Sequence, residues 1–223
     1  MYPLTKPTGG LYVGKRLLAR PKVTRMDVGA PVRIAFVSDV HLRKSGASMT
    51  ETVAQMLEEL RPHLVLFGGD YAESREGAFD FFARMGRVLP GVPKYGVMGN
   101  NDNDFFENDR EPLFTAMREN GVIPLINECA RLTIDGKPLE IVGVDDAYLF
   151  KPCARGLFSE ETGVYRILLS HAPHTFLMEE ASPDLMLSGH THGGQVNALG
   201  LTCYTLLKYE NWFRFTHLAG VKR

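Results

Sequence analysis

Few cysteines occur in this chain: Cys129, Cys153 and Cys203, an odd number with no C-x-x-C pair. That argues against a disulfide framework and against a structural zinc site, and it fits a reducing compartment. No uninterrupted apolar run reaches the roughly 18 residues that a membrane-spanning helix needs, so none is expected. The first ten residues, MYPLTKPTGG, lack the apolar stretch of a signal peptide, which makes the cytoplasm the default location. Charge of one sign is also missing. The formal net charge of -1 gives no strong field toward nucleic acid or an anionic membrane. Five basic residues between Lys15 and Arg25 read as a solvated face of a strand. There is no internal repeat, low-complexity tract or long linker, and 223 residues suit one domain with a substantial core.

What is present is a series of short apolar runs separated by helical segments, the pattern of layered α/β structure. Val32–Val37 ends at Ser38-Asp39, Leu64–Phe67 at Gly68-Gly69-Asp70, and Lys94–Met98 at Gly99-Asn100-Asn101-Asp102. Tyr165–Leu169 leads to Ser170-His171, and Leu185–Leu187 to Ser188-Gly189-His190. Each run delivers a metal-capable side chain at its C-terminal end, which is the ligand-binding edge of open α/β sheets.

The spacers fit. Ser48-Met49-Thr50-Glu51 reads as a capping box, followed by Val53, Met56, Leu57 and Leu60 on one helical face and Pro62 as a stop. Residues 77–89 and 109–120 read as two more helices, the latter ended by Gly121. Asp135-Gly136 between two apolar stretches is a hairpin signal.

Collected in order, the candidates are Asp39, His41, Asp70, Asn100, His171, His190 and His192. Asp39 and Asp70 are 31 residues apart, and Asp70 and Asn100 are 30 apart. A separation of about 30 is one βαβ crossover, so these residues return to the same edge on neighbouring strands. Mixed carboxylate, amide and imidazole donors suit Mn, Fe, Zn, Co or Ni. Seven donors are too many for one tetrahedral ion and suit two ions sharing a carboxylate. Two ions roughly 3.5–4 Å apart hold phosphate oxygens and make a bound water nucleophilic. Taken singly, each residue has a plainer reading: Asp39 as a helix cap, His41 on the surface, Asp70 in a turn, His171 in a loop. As a set they do not, because four of the seven histidines fall at these few places.

The segments Asp39-Val40-His41, Gly69-Asp70, Gly99-Asn100-Asn101-Asp102, His171 and Gly189-His190-Thr191-His192 closely resemble the calcineurin-like metallophosphoesterase signature. Ser188–Gln195 and Gly143-Val144-Asp145-Asp146 resemble its YkuE-type phosphodiesterase branch. The likeness runs from about residue 32 to 197. It implies a four-layer αββα sandwich, two mixed β-sheets flanked by helices. It implies two divalent metal ions, one on Asp39, His41, Asp70 and His192 and the other on Asp70, Asn100, His171 and His190. The reaction implied is hydrolysis of a phosphodiester or phosphoanhydride by a metal-bridging hydroxide.

One position departs from the signature. The family has histidine where this chain has Asn101, bonded to the acid that Asp102 matches, and it protonates or stabilises the leaving oxygen. Asparagine donates a hydrogen bond but delivers no proton near pH 7. Two expectations follow: a preference for leaving groups that need no proton, or a proton from His174 instead. Tyr71, Glu73, Asp104 and Arg43 are weaker pocket candidates, while His63 and His217 receive no role. The aromatic residues Tyr209, Trp212, Phe213 and Phe215 read as a closing strand, with a lipid or partner contact as the other reading. A different class stays open, a catalytically weakened metal-binding scaffold for protein partners; Asn101 keeps it in play and the intact donor set argues against it. A nuclease is a third reading, weakened by the near-neutral charge. The expected partner is a small phosphorylated substrate; the residues do not choose an oligomeric state.

Overall fold

The computed structural model describes residues 23–43, 47–106, 109–146, 152–173, 175 and 182–191, together with four two-residue strands. His174, His192, Cys203, the aromatic residues at 209–215 and His217 lie outside the described residues. The chain divides into two compact units, residues 23–190 and residues 1–22 with 191–223. In the latter, β1 (Tyr12–Val13) pairs antiparallel with β2 (Arg16–Leu17), and β11 (Asn197–Ala198) with β12 (Leu201–Thr202).

The unit 23–190 is built on two four-stranded sheets. The first is parallel, in the order β3 (Ile34–Val37), β4 (Leu64–Phe67), β5 (Lys94–Gly96), β6 (Ile123–Pro124). The second is mixed, in the order β10 (Leu185–Ser188), β9 (Tyr165–Ser170), β8 (Lys137–Gly143), β7 (Glu128–Ile134), with only β7 antiparallel to its neighbour. The β7–β8 hairpin turns on Asp135 (φ 49°) and Gly136 (φ 73°), the two left-handed residues of the turn that Asp-Gly signals.

Alternation along the strands separates three apolar layers. Val65 and Phe67 of β4 face α1 (Ala47–Leu60), α2 (Arg75–Met85) and α4 (Glu111–Glu119) through Val53, Leu57, Phe81, Phe82, Leu113 and Met117. Leu64 and Leu66 face the other way, onto Leu139 and Ile141 of β8 and Ile167 and Leu169 of β9. This buried seam holds the sheets together, each such side chain contributing about 1.5–3 kcal/mol. The outer face of the second sheet, Val142 and Leu168, meets Ala154, Leu157 and Phe158 of the segment 152–158. Since all four residues of β4 are fully buried, its signature is an unbroken apolar run rather than an alternating one.

Helix boundaries differ from expectation for local reasons. Ser48 does not cap α1 but lies inside it, its carbonyl receiving the Thr52 hydroxyl at 2.7 Å. The N-cap of α2 is Ser74, whose Oγ accepts from Gly77 N at 3.1 Å, so the helix starts two residues before the apolar pattern does. It ends at Met85 with Gly86 as its cap. A short helix, α3 (Asn100–Phe106), starts on the Asn100 motif itself.

Candidate metal centre

The C-terminal ends of β3, β4 and β5 lie side by side in register, Val37 opposite Phe67 and Phe67 opposite Gly96. Those of β9 and β10 do the same, Ser170 opposite Ser188. The loops that follow remain stitched by their main chain. Asp39 N donates to Gly69 O at 3.0 Å, His41 N to Asp70 O at 3.0 Å, and Gly189 N to His171 O at 3.0 Å. A parallel bridge between Leu42 and Ala72 extends the seam.

Four of the candidate side chains stand on left-handed backbone: Asp39 (φ 56°), His41 (φ 45°), Asp70 (φ 56°) and His190 (φ 67°). Residues other than glycine rarely adopt such angles, and strained positions of this kind gather at functional sites. Here they mark four of the seven candidate donors. Two glycines leave room for them. A Cβ on Gly99 would strike the Asp70 carboxylate, and one on Gly189 would strike Ser38 Oγ and Asp39 Oδ2.

The described donors converge. Asp39, Asp70 and His171 present ligand atoms all within 4.8 Å of one another. His41 Nε2 lies 3.5 Å, and His171 Nε2 3.4 Å, from Asp70 Oδ2. Asn100 Oδ1 lies 3.2 Å from His171 Nε2 and 2.9 Å from His190 Nδ1, and the two ring nitrogens are 3.2 Å apart. Asp39 is held by Ser38 Oγ, which donates at 2.7 Å, and by His190 N at 3.0 Å from both carboxylate oxygens.

His171 shows what this arrangement asks for. Its Nδ1 sits 2.7 Å from Gly68 O, an atom that can only accept, so Nδ1 carries a proton. In the neutral ring the Nε2 lone pair then points at Asp70 Oδ2 and Asn100 Oδ1. Lone pairs facing lone pairs in a buried place call for a proton or a metal cation between them. Burial disfavours charge on His171, but the hydrogen bond and charge of Asp70, with Asp39 and Gly68 O, outweigh it and raise its pKa to about 9. Burial pulls Asp70 upward, yet His171, Asn101 and His41 prevail and hold it at about 2. A divalent ion bound by a neutral imidazole and these carboxylates meets the same demand, so the residues fit a metal.

Asp102 has different partners. It accepts from Asp70 N at 2.8 Å, Tyr71 N at 3.0 Å and Gly99 N at 2.9 Å, an arrangement suited to an ionised carboxylate. Burial and the charge of Asp70 push the other way, to about 7. Asp102 thus ties the Asp70 and Asn100 loops together from beneath. Asn101 turns to Asp70, not to Asp102. Among the weaker candidates, Tyr71 is wholly buried with its hydroxyl donating to Val97 O at 2.6 Å, so it supports the loop and does not line a pocket. Arg43 pairs with Glu73 at 2.9 Å, and Asp104 is exposed. His63 is structural, its Nδ1 receiving Arg33 N at 3.0 Å. Sequence reasoning passes over Ser38; its position next to Asp39, just past the strand end, is the only signal it gives.

The sequence model of the calcineurin-like phosphoesterase family matches residues 32–194. Among curated proteins, YpbG of Bacillus subtilis, whose name calls it uncharacterized, is 33% identical over 178 residues, 78% of this chain and 66% of that protein. The metallophosphoesterase YkoQ of the same organism is 28% identical over 95% of this chain and 82% of its own length. Phosphodiesterase YaeI of Escherichia coli is 28% identical over 76% of this chain and 64% of its own length. The chain therefore spans just under two thirds of two of these relatives. With a match across most of its length, covering the C-terminal ends of β3, β4, β5, β9 and β10, the chain belongs to the calcineurin-like phosphoesterase family.

Proposed function

We propose that this chain hydrolyses a phosphodiester or phosphoanhydride with the help of two divalent cations, one on Asp39, His41, Asp70 and His192, the other on Asp70, Asn100, His171 and His190. Asp70 would be the carboxylate they share. His192 is assigned from its place two residues after His190 in the sequence. The observation that carries the reading is His171, whose Nδ1 is committed to Gly68 O and whose Nε2 faces Asp70 Oδ2 and Asn100 Oδ1. Mixed oxygen and nitrogen donors favour Mn, Fe, Zn, Co or Ni. Bound there, the cations would lower the pKa of water and take up charge on the phosphoryl oxygens.

The protein's own part is orientation. Gly68 O sets the His171 ring, His190 N and Ser38 Oγ hold Asp39, and Asp102 braces the loops that carry Asp70 and Asn100. Because the main-chain bonds of these loops are already made, little reorganisation accompanies binding of a phosphate ester. The family relatives called phosphodiesterase and metallophosphoesterase support ester hydrolysis as the reaction class. A direct test pairs metal analysis of the purified protein with turnover of an aryl phosphodiester, with Mn²⁺ and with chelator. Metal-dependent turnover is expected; two bound ions without turnover of any ester would favour a binding scaffold instead.

A further inference from the structure

Asn101 makes two contacts with one partner. Its backbone N–H donates to Asp70 Oδ1 at 2.9 Å, and its side-chain Nδ2 donates to Asp70 Oδ2 at 2.6 Å. A single residue thus grips both oxygens of the carboxylate on which the donor cluster is centred. Two donors on one carboxylate fix its plane as well as its position. The side-chain contact is short, as hydrogen bonds to an ionised acceptor are.

We infer that Asn101 is a positioning residue for Asp70, and that the chain accordingly acts on esters whose leaving oxygen departs unprotonated: phosphoanhydrides and aryl phosphodiesters before alkyl ones. The inference rests on the phosphoesterase reading above and narrows its substrate class. An amide gives hydrogen bonds but transfers no proton near neutral pH. The other titratable groups described around the cluster have other tasks. His41, His171 and His190 turn ring nitrogens to Asp70, Asn100 or one another, Asp39 accepts from Ser38 Oγ and His190 N, Asp102 receives three backbone N–H groups, and the Tyr71 hydroxyl donates to Val97 O. In the reaction, a bond forms between hydroxide oxygen and phosphorus. The bond from phosphorus to the leaving oxygen breaks, and its electron pair leaves on that oxygen as an anion. A proton reaches it afterwards from water. An aryloxide or a phosphate carries that charge easily; an alkoxide does not.

Two measurements test the halves separately. Calorimetric titration of Mn²⁺ into metal-free protein reads the grip on Asp70 without turnover. Asn101→Ala removes the side-chain arm and keeps the backbone one, so affinity for the tighter-binding ions falls about tenfold; Asn101→Asp, which sets a second negative charge against Asp70, should not restore the lost geometry. Equal affinity in the wild type and Asn101→Ala would overturn the positioning role. A series of aryl and alkyl phosphodiesters reads the second half. Wild-type kcat/KM should fall by about 10²–10⁴ toward the poorest leaving groups, the range general acid help normally supplies, and Asn101→His should flatten the slope. A shallow wild-type slope that steepens in His174→Ala would overturn the inference by identifying His174 as the acid. A wild type that binds no ion, or hydrolyses no ester, would overturn the phosphoesterase reading itself.

Discussion

The first sheet supplies mainly oxygen donors and the second only imidazoles, and the two are held in place differently. Asp39, His41, Asp70 and Asn100 follow β3, β4 and β5 in one continuous parallel ladder, and their loops bond directly to one another. His171 and His190 follow β9 and β10 in the other sheet. They reach the oxygens across the gap through Gly68 O, Asn100 Oδ1 and the Asp39 carboxylate. The oxygen half is therefore set by local strand register. The nitrogen half is set by how two sheets dock, which depends on an apolar seam that contains no donor. A centre of this kind can fail in two ways: by misplacing one carboxylate, or by loosening the seam.

The comparison can be broken most severely within the oxygen half. Asp70→Ala removes the carboxylate that faces His41 and His171, and kcat/KM should fall by on the order of 10³-fold or more, with loss of bound metal by elemental analysis. Gly99→Ala, whose new Cβ meets the Asp70 carboxylate and backbone, should approach the same loss without removing any donor. Normal metal content in that variant would show that the close approach is not what places Asp70.

Loosening the seam comes next. Ile167→Ala, at a fully buried residue between the sheets, should cost about 2–5 kcal/mol by urea denaturation. Metal affinity should weaken with it although no donor is touched. A large stability loss with unchanged affinity would separate docking from site assembly. Smaller still is Ser38→Ala, which removes one hydrogen bond to Asp39 and should lower metal affinity about tenfold. Gly136→Ala, at the left-handed hairpin position remote from both halves, should cost about 1 kcal/mol of stability. It should leave metal binding as it is, a baseline for purely structural effects.

Much of the oxygen half is legible in the amino-acid sequence. The run Leu64–Phe67 followed by Gly68-Gly69-Asp70 announces a buried strand and a turn, and spacing of one crossover brings Asp39, Asp70 and Asn100 to one edge. Sequence is less informative where side chains choose partners. The Asn101 motif implies a link with Asp102, yet the amide grips Asp70, because Asp102 is drawn beneath the loops by three backbone N–H groups. Ser48 satisfies the capping-box pattern, but α1 begins before it. Tyr71 follows the motif closely enough to suggest a pocket wall. Its ring instead stacks with Phe81 and meets Phe82 at 4.7 Å, since burial of that surface against α2 outweighs exposure at the rim. Arg110, unmarked in the sequence, pairs with Asp145 at 2.8 Å and joins the start of α4 to the rim of the second sheet.

By itself the sequence determined which donors are present, their order, and their placement at strand ends, because hydrophobic periodicity and turn residues are local. Only the tertiary structure decided which lone pairs face each other, which carboxylate is braced and which is gripped, and how the imidazoles of one sheet meet the oxygens of the other. Those outcomes depend on distances between segments up to 151 residues apart, such as Asp39 and His190, and no local pattern encodes a distance across a fold.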